Sequence, residues 1–205
     1  VTTTSTPVTP VPVDDRAADL RPLGRGLAVL GAIGLAAAFA LTVDKIRLLQ
    51  DPDFVPGCDL NPVLSCGSVM RTDQAEAFGF PNPLLGLVGF GVVVTVGVLL
   101  ATGFRPARGV LAGLALGSLA GAGFVHWLAF QSLYRIGALC PWCLVVWAVT
   151  IPIMVWSVLT AWRTIRPSRA AERLWSVRYL LVAAWYLTVV VLALVRFWSY
   201  WRTLL

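Results

Sequence analysis

The sequence predicts an all-α polytopic membrane protein with five spanning helices, on three observations. Of 205 residues, 58% are hydrophobic and only 13% charged, with mean hydropathy +0.80; ordinary soluble domains carry about 25% charged residues. Five apolar runs, residues 26–43, 84–104, 109–131, 139–161 and 179–198, are each long enough to cross about 30 Å of hydrocarbon as a helix. The basic residues between those runs are strongly biased to one side. Arg16, Arg21, Arg25, Arg105, Arg108, Arg163, Arg166, Arg169, Arg173 and Arg178 face the cytoplasm if the N-terminus does, ten against the four of Lys45, Arg47, Arg71 and Arg135 outside. Arg196 and Arg202 at the C-terminus are the exceptions. The net charge of +6 therefore reports topology and anionic headgroups. No basic stripe alternates with exposed aromatics, which argues against nucleic acid as a partner.

Taken in order, residues 1–23 are rich in Thr, Pro and Val, too polar to span, and expected as a disordered cytoplasmic tail. The first run resembles a signal segment with Ala38-Phe39-Ala40 as a cleavage site, but it is long for one, and it is read as a helix that stays. Residues 44–83 form an outer loop with a negative balance of charge. Its Val63, Leu64, Val69, Met70, Ala77 and Phe78 supply apolar surface for a segment lying on the membrane face as a lid. Residues 24–162 then make a four-helix unit, and residues 163–205 a basic connection with a fifth, peripheral helix flanked by Trp and Tyr.

The third run carries Gly109, Gly113, Gly117 and Gly121 at four-residue spacing. The spacing predicts a smooth stripe for close helix packing, the alternative being room for a flat ring or an isoprenoid tail. The fourth run contains Pro152, which removes a backbone hydrogen bond and predicts a kink. His126, the one histidine, is expected as a packing residue, with proton donation to a bound ligand as the alternative.

All four cysteines lie in or beside the two outer segments. Cys140-Pro141-Trp142-Cys143 opens the fourth helix. The unpaired N–H groups and positive dipole end there favour a thiolate, and Pro141 suits a first helical turn. Such a pair points to redox chemistry. Cys58 and Cys66, eight positions apart in a Gly- and Pro-containing loop, permit a disulfide, either as a static staple or as a mobile pair that visits the fixed one. A four-sulfur zinc site calls for two short knuckles, which this spacing lacks, so no metal is expected.

Cys58-Asp59, Asn61-Pro62-Val63-Leu64-Ser65-Cys66-Gly67-Ser68-Val69-Met70 and Cys140-Pro141-Trp142-Cys143, in that order, resemble the vitamin K epoxide reductase family in its bacterial branch, over residues 26–161. The resemblance implies a four-helix bundle around a quinone of the menaquinone or ubiquinone type, in a bacterial cytoplasmic membrane. It implies that Cys143 reacts with the quinone, that Cys140 exchanges with Cys66, and that Cys58 completes a loop disulfide reduced by an extracytoplasmic thioredoxin-fold thiol protein. Some relatives carry that domain fused after the fifth helix; ending at Leu205, the chain is expected to use a separate partner. Asn82 matches the family's quinone hydrogen-bond donor, and an amide N–H aimed at a carbonyl oxygen suits charge building on a reduced ring. Trp147 stands where animal members carry Tyr, which removes a hydroxyl and leaves a ring that can stack. Met70 and His126 complete the candidate quinone contacts, and Asp59 and Thr72 are candidate loop supports.

The implied function is a membrane thiol oxidase driving disulfide formation. A Dsb-type quinone-coupled oxidase carries its two cysteine pairs in the opposite order. A transporter or assembly factor with purely structural disulfides is the rival class. Inverted repeats or intramembrane charges would favour it, and the sequence displays neither.

Overall fold

The computed structural model describes residues 20–203. Most of the expected tail, residues 1–19, lies outside them, and its last residues are helical, since α1 starts at Arg21. Among the described residues, five helices are long and apolar enough to cross a membrane: α1 (Arg21–Gln50), α3 (Pro83–Ala101), α4 (Arg108–Phe130, continued by a wider π-type turn Gln131–Ile136), α5 (Pro141–Ile165) and α7 (Arg178–Arg196). The short α2 (Cys66–Met70) and a 3-10 turn (Asp73–Glu76) lie in the loop after α1, α6 (Arg169–Ser176) precedes α7, and α8 (Trp198–Trp201) follows it. The protein is thus an all-α, multi-pass membrane protein. Pro22, Pro83 and Pro141 each sit in a first helical turn, where a missing N–H leaves no bond unmade.

Close helix packing falls elsewhere than predicted. It joins α1 to α3, where a Cβ added at Gly97 would lie 2.5 Å from Ala28 N and one at Gly34 would lie 2.5 Å from the Phe90 ring. The predicted glycine stripe on α4 does the opposite. A Cβ at Gly109, Gly113, Gly117 or Gly121 would meet nothing within 4 Å. The physical reason is that α4 leans on α5 and scarcely touches α3, so the stripe borders a gap. The expectation of a tight glycine seam there is corrected to one of open space.

α5 runs unbroken through Pro152. The proline withholds the N–H that Ala148 O would accept, and the Tyr186 hydroxyl of α7 donates to that carbonyl instead. A carbonyl with no water to turn to needs such a partner. Tyr186→Phe is therefore expected to lower stability by about 1–2 kcal/mol, read from unfolding in mixed detergent micelles, with α7 the first helix to loosen. α7 is otherwise peripheral, with Val182 its one buried residue. Two more polar contacts hold it. Trp185 Nε1 donates to His126 Nε2 at 2.7 Å, and Arg196 Nε donates to Leu133 O at 2.9 Å. The second contact explains why Arg196 breaks the charge bias: it satisfies a carbonyl exposed by the π-type turn.

Candidate functional site

Two backbone segments bring the cysteines together. Gly137, at φ +74°, ends the π-type turn in a left-handed conformation that suits glycine. The chain then extends and pairs with the loop through Leu139 N to Val63 O (2.7 Å) and Ser65 N to Leu139 O (2.9 Å). This parallel bridge between Leu64 and Leu139 places the residues that follow, Cys66 and Cys140, side by side.

Local hydrogen bonds hold Cys66 at the start of α2. Ser65 Oγ accepts from Ser68 N at 3.0 Å, and Asp59 Oδ1 accepts from Gly67 N at 2.8 Å and from Ser65 Oγ at 3.1 Å. Asn61 Oδ1 accepts from Val63 N and Leu64 N, forming the turn that sets the bridge register. Thr72 Oγ1 donates to Val69 O at 2.8 Å, closing α2. Arg71 donates to Pro52 O and Phe54 O, tying the loop's two limbs together. These bonds hold the loop together and the Leu64–Leu139 bridge docks it beside α5, so a mobile pair travelling to a fixed one is not required for contact.

Cys58 and Cys66 form a disulfide, while Cys140 and Cys143 are free thiols. Cys140 Sγ lies 3.2 Å from Cys66 Sγ, with both residues essentially inaccessible (1% and 0%). Cys140 also caps α5, its Sγ accepting from Cys143 N at 3.4 Å. The Cys143 thiol hydrogen bond is the main influence holding the Cys140 thiol below its ordinary pKa. Burial opposes it, backbone N–H groups of Cys143 and Trp142 reinforce it, and the Asp59 carboxylate opposes more weakly. The Cys140 thiolate is therefore expected at a lower pH than an ordinary thiol requires. In a variant keeping Cys140 and Cys143 alone, the thiolate absorbance of Cys140 should rise below the free-thiol midpoint. Cys143→Ala should move that midpoint upward by removing the largest lowering contact.

Beside Cys143 lies a mainly apolar cavity of about 560 Å³ lined by residues of α1, α3, α4 and α5. Cys143, Trp147, Asn82 and Met70 line it, as do Gly113, Gly117 and Gly121; Cys140 does not. The loop closes one end through Met70, Gln74 and Ala75, and Phe78 reaches across to Phe124 with 5.5 Å between ring centres. Trp147 is nearly fully buried, at 2% exposure. Asn82 is committed in part: Oδ1 accepts from Ala77 N (3.1 Å) and Nδ2 donates to Gln74 O (2.7 Å). Its second amide hydrogen has no partner among the described residues.

His126 is not brought to the cavity. Its Nε2 accepts from Trp185, so Nδ1 carries the proton and donates to Ala122 O at 2.7 Å. Both ring nitrogens are used in packing α4 to α7, so the suggested quinone contact is corrected to the packing role. Asp59 and Thr72 also stand away from the cavity, within the loop. Sequence reasoning passed over Arg71, Asn61 and Lys45 as working residues. Asn61 carried a signal, an Asx residue before Pro62; for the other two the partners are distant in sequence.

The arrangement suits thiol–disulfide exchange next to a cavity for a flat, apolar ligand. The model of the vitamin K epoxide reductase family matches residues 26–158 of the chain. No curated protein matches it.

Proposed function

From the premise that this chain belongs to the vitamin K epoxide reductase family and is a membrane oxidoreductase, we propose that it is a thiol oxidase coupling disulfide formation outside a bacterial cytoplasmic membrane to quinone reduction. The observation that carries this is the sulfur line. The Cys58–Cys66 disulfide abuts Cys140 at 3.2 Å, and Cys143, three residues on, opens on the cavity. The charge bias supports an N-terminus in the cytoplasm and both cysteine pairs outside.

In this reading a reduced thioredoxin-fold protein opens the loop disulfide and leaves as a disulfide itself. The Cys66 thiolate then attacks Cys140 of a Cys140–Cys143 disulfide, and Cys143 departs as a thiolate. Cys58 attacks Cys66, re-forms the loop disulfide and releases Cys140, which its lowered pKa makes a good leaving group. Two electrons and two protons have then moved from the loop to Cys140 and Cys143. A quinone held in the cavity would supply the two-electron, two-proton sink that lets the Cys140–Cys143 disulfide close again. Cys143, which lines the cavity, would face the quinone, with Trp147, Met70 and Asn82 as the residues that would hold the ring. The open face at Gly113, Gly117 and Gly121 fits a flat group or isoprenoid tail, since a Cβ there would project into empty space.

The test uses purified protein with a reduced thioredoxin-fold partner and a naphthoquinone. Quinol should appear in step with partner disulfide. It should vanish in Cys143→Ala. Quinol formation that persists without Cys143 would overturn the proposal.

A further inference from the structure

Lys45 is the one charged side chain among the described residues that line the cavity. It is 8% exposed, and burying a cation is costly unless it is paired. Its Nζ donates to Met70 O at 2.7 Å and pairs with Glu76 Oε1 at 2.8 Å. An ammonium group has three hydrogens, and the third has no partner among the described residues. The Glu76 side chain is 38% exposed, so water weakens its hold on the Lys45 charge. If the lysine served only to latch the lid to α1, the Met70 contact could be made by a neutral donor. A cation on the wall shared with Cys143 adds something a neutral donor does not: it favours negative charge inside an apolar space, where Coulomb interactions are strong.

We propose that Lys45 is an electrostatic binding residue for the reduced form of the cavity's ligand, its ammonium favouring negative charge on a quinone oxygen while Asn82 offers a neutral amide N–H. The proposal rests on the quinone reading above and adds a residue to it. Glu76 acts as the partial counter-charge that sets how much of the lysine's field reaches the cavity.

The experiment is equilibrium binding to the detergent-solubilised full chain, followed by quenching of tryptophan fluorescence. Two probes are compared: a neutral methyl-naphthoquinone and a hydroxy-naphthoquinone that is an anion at neutral pH. Lys45→Met should weaken the anion relative to the neutral probe by about tenfold. Glu76→Gln, at a half-exposed site that tolerates the change, should strengthen the anion relative to the neutral probe several-fold. An affinity ratio unmoved in Glu76→Gln, or in a folded Lys45→Met, overturns the proposal. If Lys45→Met does not fold, Glu76→Gln decides alone. Failure of the wild-type chain to bind the neutral probe would instead sink the quinone reading, and this inference with it.

Discussion

In a Cys58→Ala/Cys143→Ala double variant, Cys66 and Cys140 are expected to join almost completely in a disulfide on mild oxidation. Each single sulfur left in the pair then has one neighbour, and they are 3.2 Å apart. Closing a bond from that separation needs only about 1.2 Å of approach. The bridge between Leu64 and Leu139 holds the two segments in register throughout. Proteolysis followed by mass spectrometry reads the result, as a peptide from the loop linked to one from the start of α5. Two unlinked thiols after oxidation would mean that the loop and helix do not meet, and the relay would have no first step. Asp59→Ala in the same background should reduce the yield, because Gly67 N and the Ser65 hydroxyl lose the acceptor that fixes the start of α2.

Gly117→Phe is expected to impair quinone reduction while leaving sulfur exchange and folding intact. A glycine at a helix contact cannot take a ring: a Cβ at Gly97 would clash with Ala28. Gly117 lines the cavity, and a Cβ there meets nothing within 4 Å, so the new side chain fills ligand space rather than displacing a helix. Overpacking of this kind costs about 1–3 kcal/mol, which is about fivefold to 150-fold in affinity. The expected signature is a raised KM for the naphthoquinone or outright loss of turnover. The Cys66–Cys140 crosslink should form as before, and the unfolding midpoint should be unchanged or higher. Unaltered quinol production in a folded Gly117→Phe protein would show that the ligand does not use the α4 side of the cavity.

The spans were legible because a membrane imposes one strong requirement, some twenty apolar residues per crossing, and each of the five runs meets it. Their ends shifted where local chemistry decided them. α1 extends to Gln50, beyond the expected end at residue 43, because Lys45 finds Glu76 and Met70 and can remain helical while buried. The cysteine pairs were legible from type and order alone. The function of the glycine stripe was not. Four glycines at helical spacing look the same whether a neighbouring helix or a void faces them, and only the lean of α4 toward α5 separates the cases. His126 posed the same problem: its partner, Trp185, lies 59 residues away, and nothing local announces it.

Taken alone, the sequence determined that the chain carries five runs able to cross a membrane, that its basic residues are biased to alternate connections, and that its four cysteines fall in two short-range pairs. Those properties depend on composition and spacing, which are additive along a chain. The tertiary structure set Cys140 against Cys66 and opened Cys143 on the cavity, an arrangement the family resemblance implied and residue spacing left open, and it put a buried lysine on the cavity wall. Those are matters of distances between segments remote in sequence, fixed by a few backbone hydrogen bonds and by the tilt of one helix, and no local pattern encodes them.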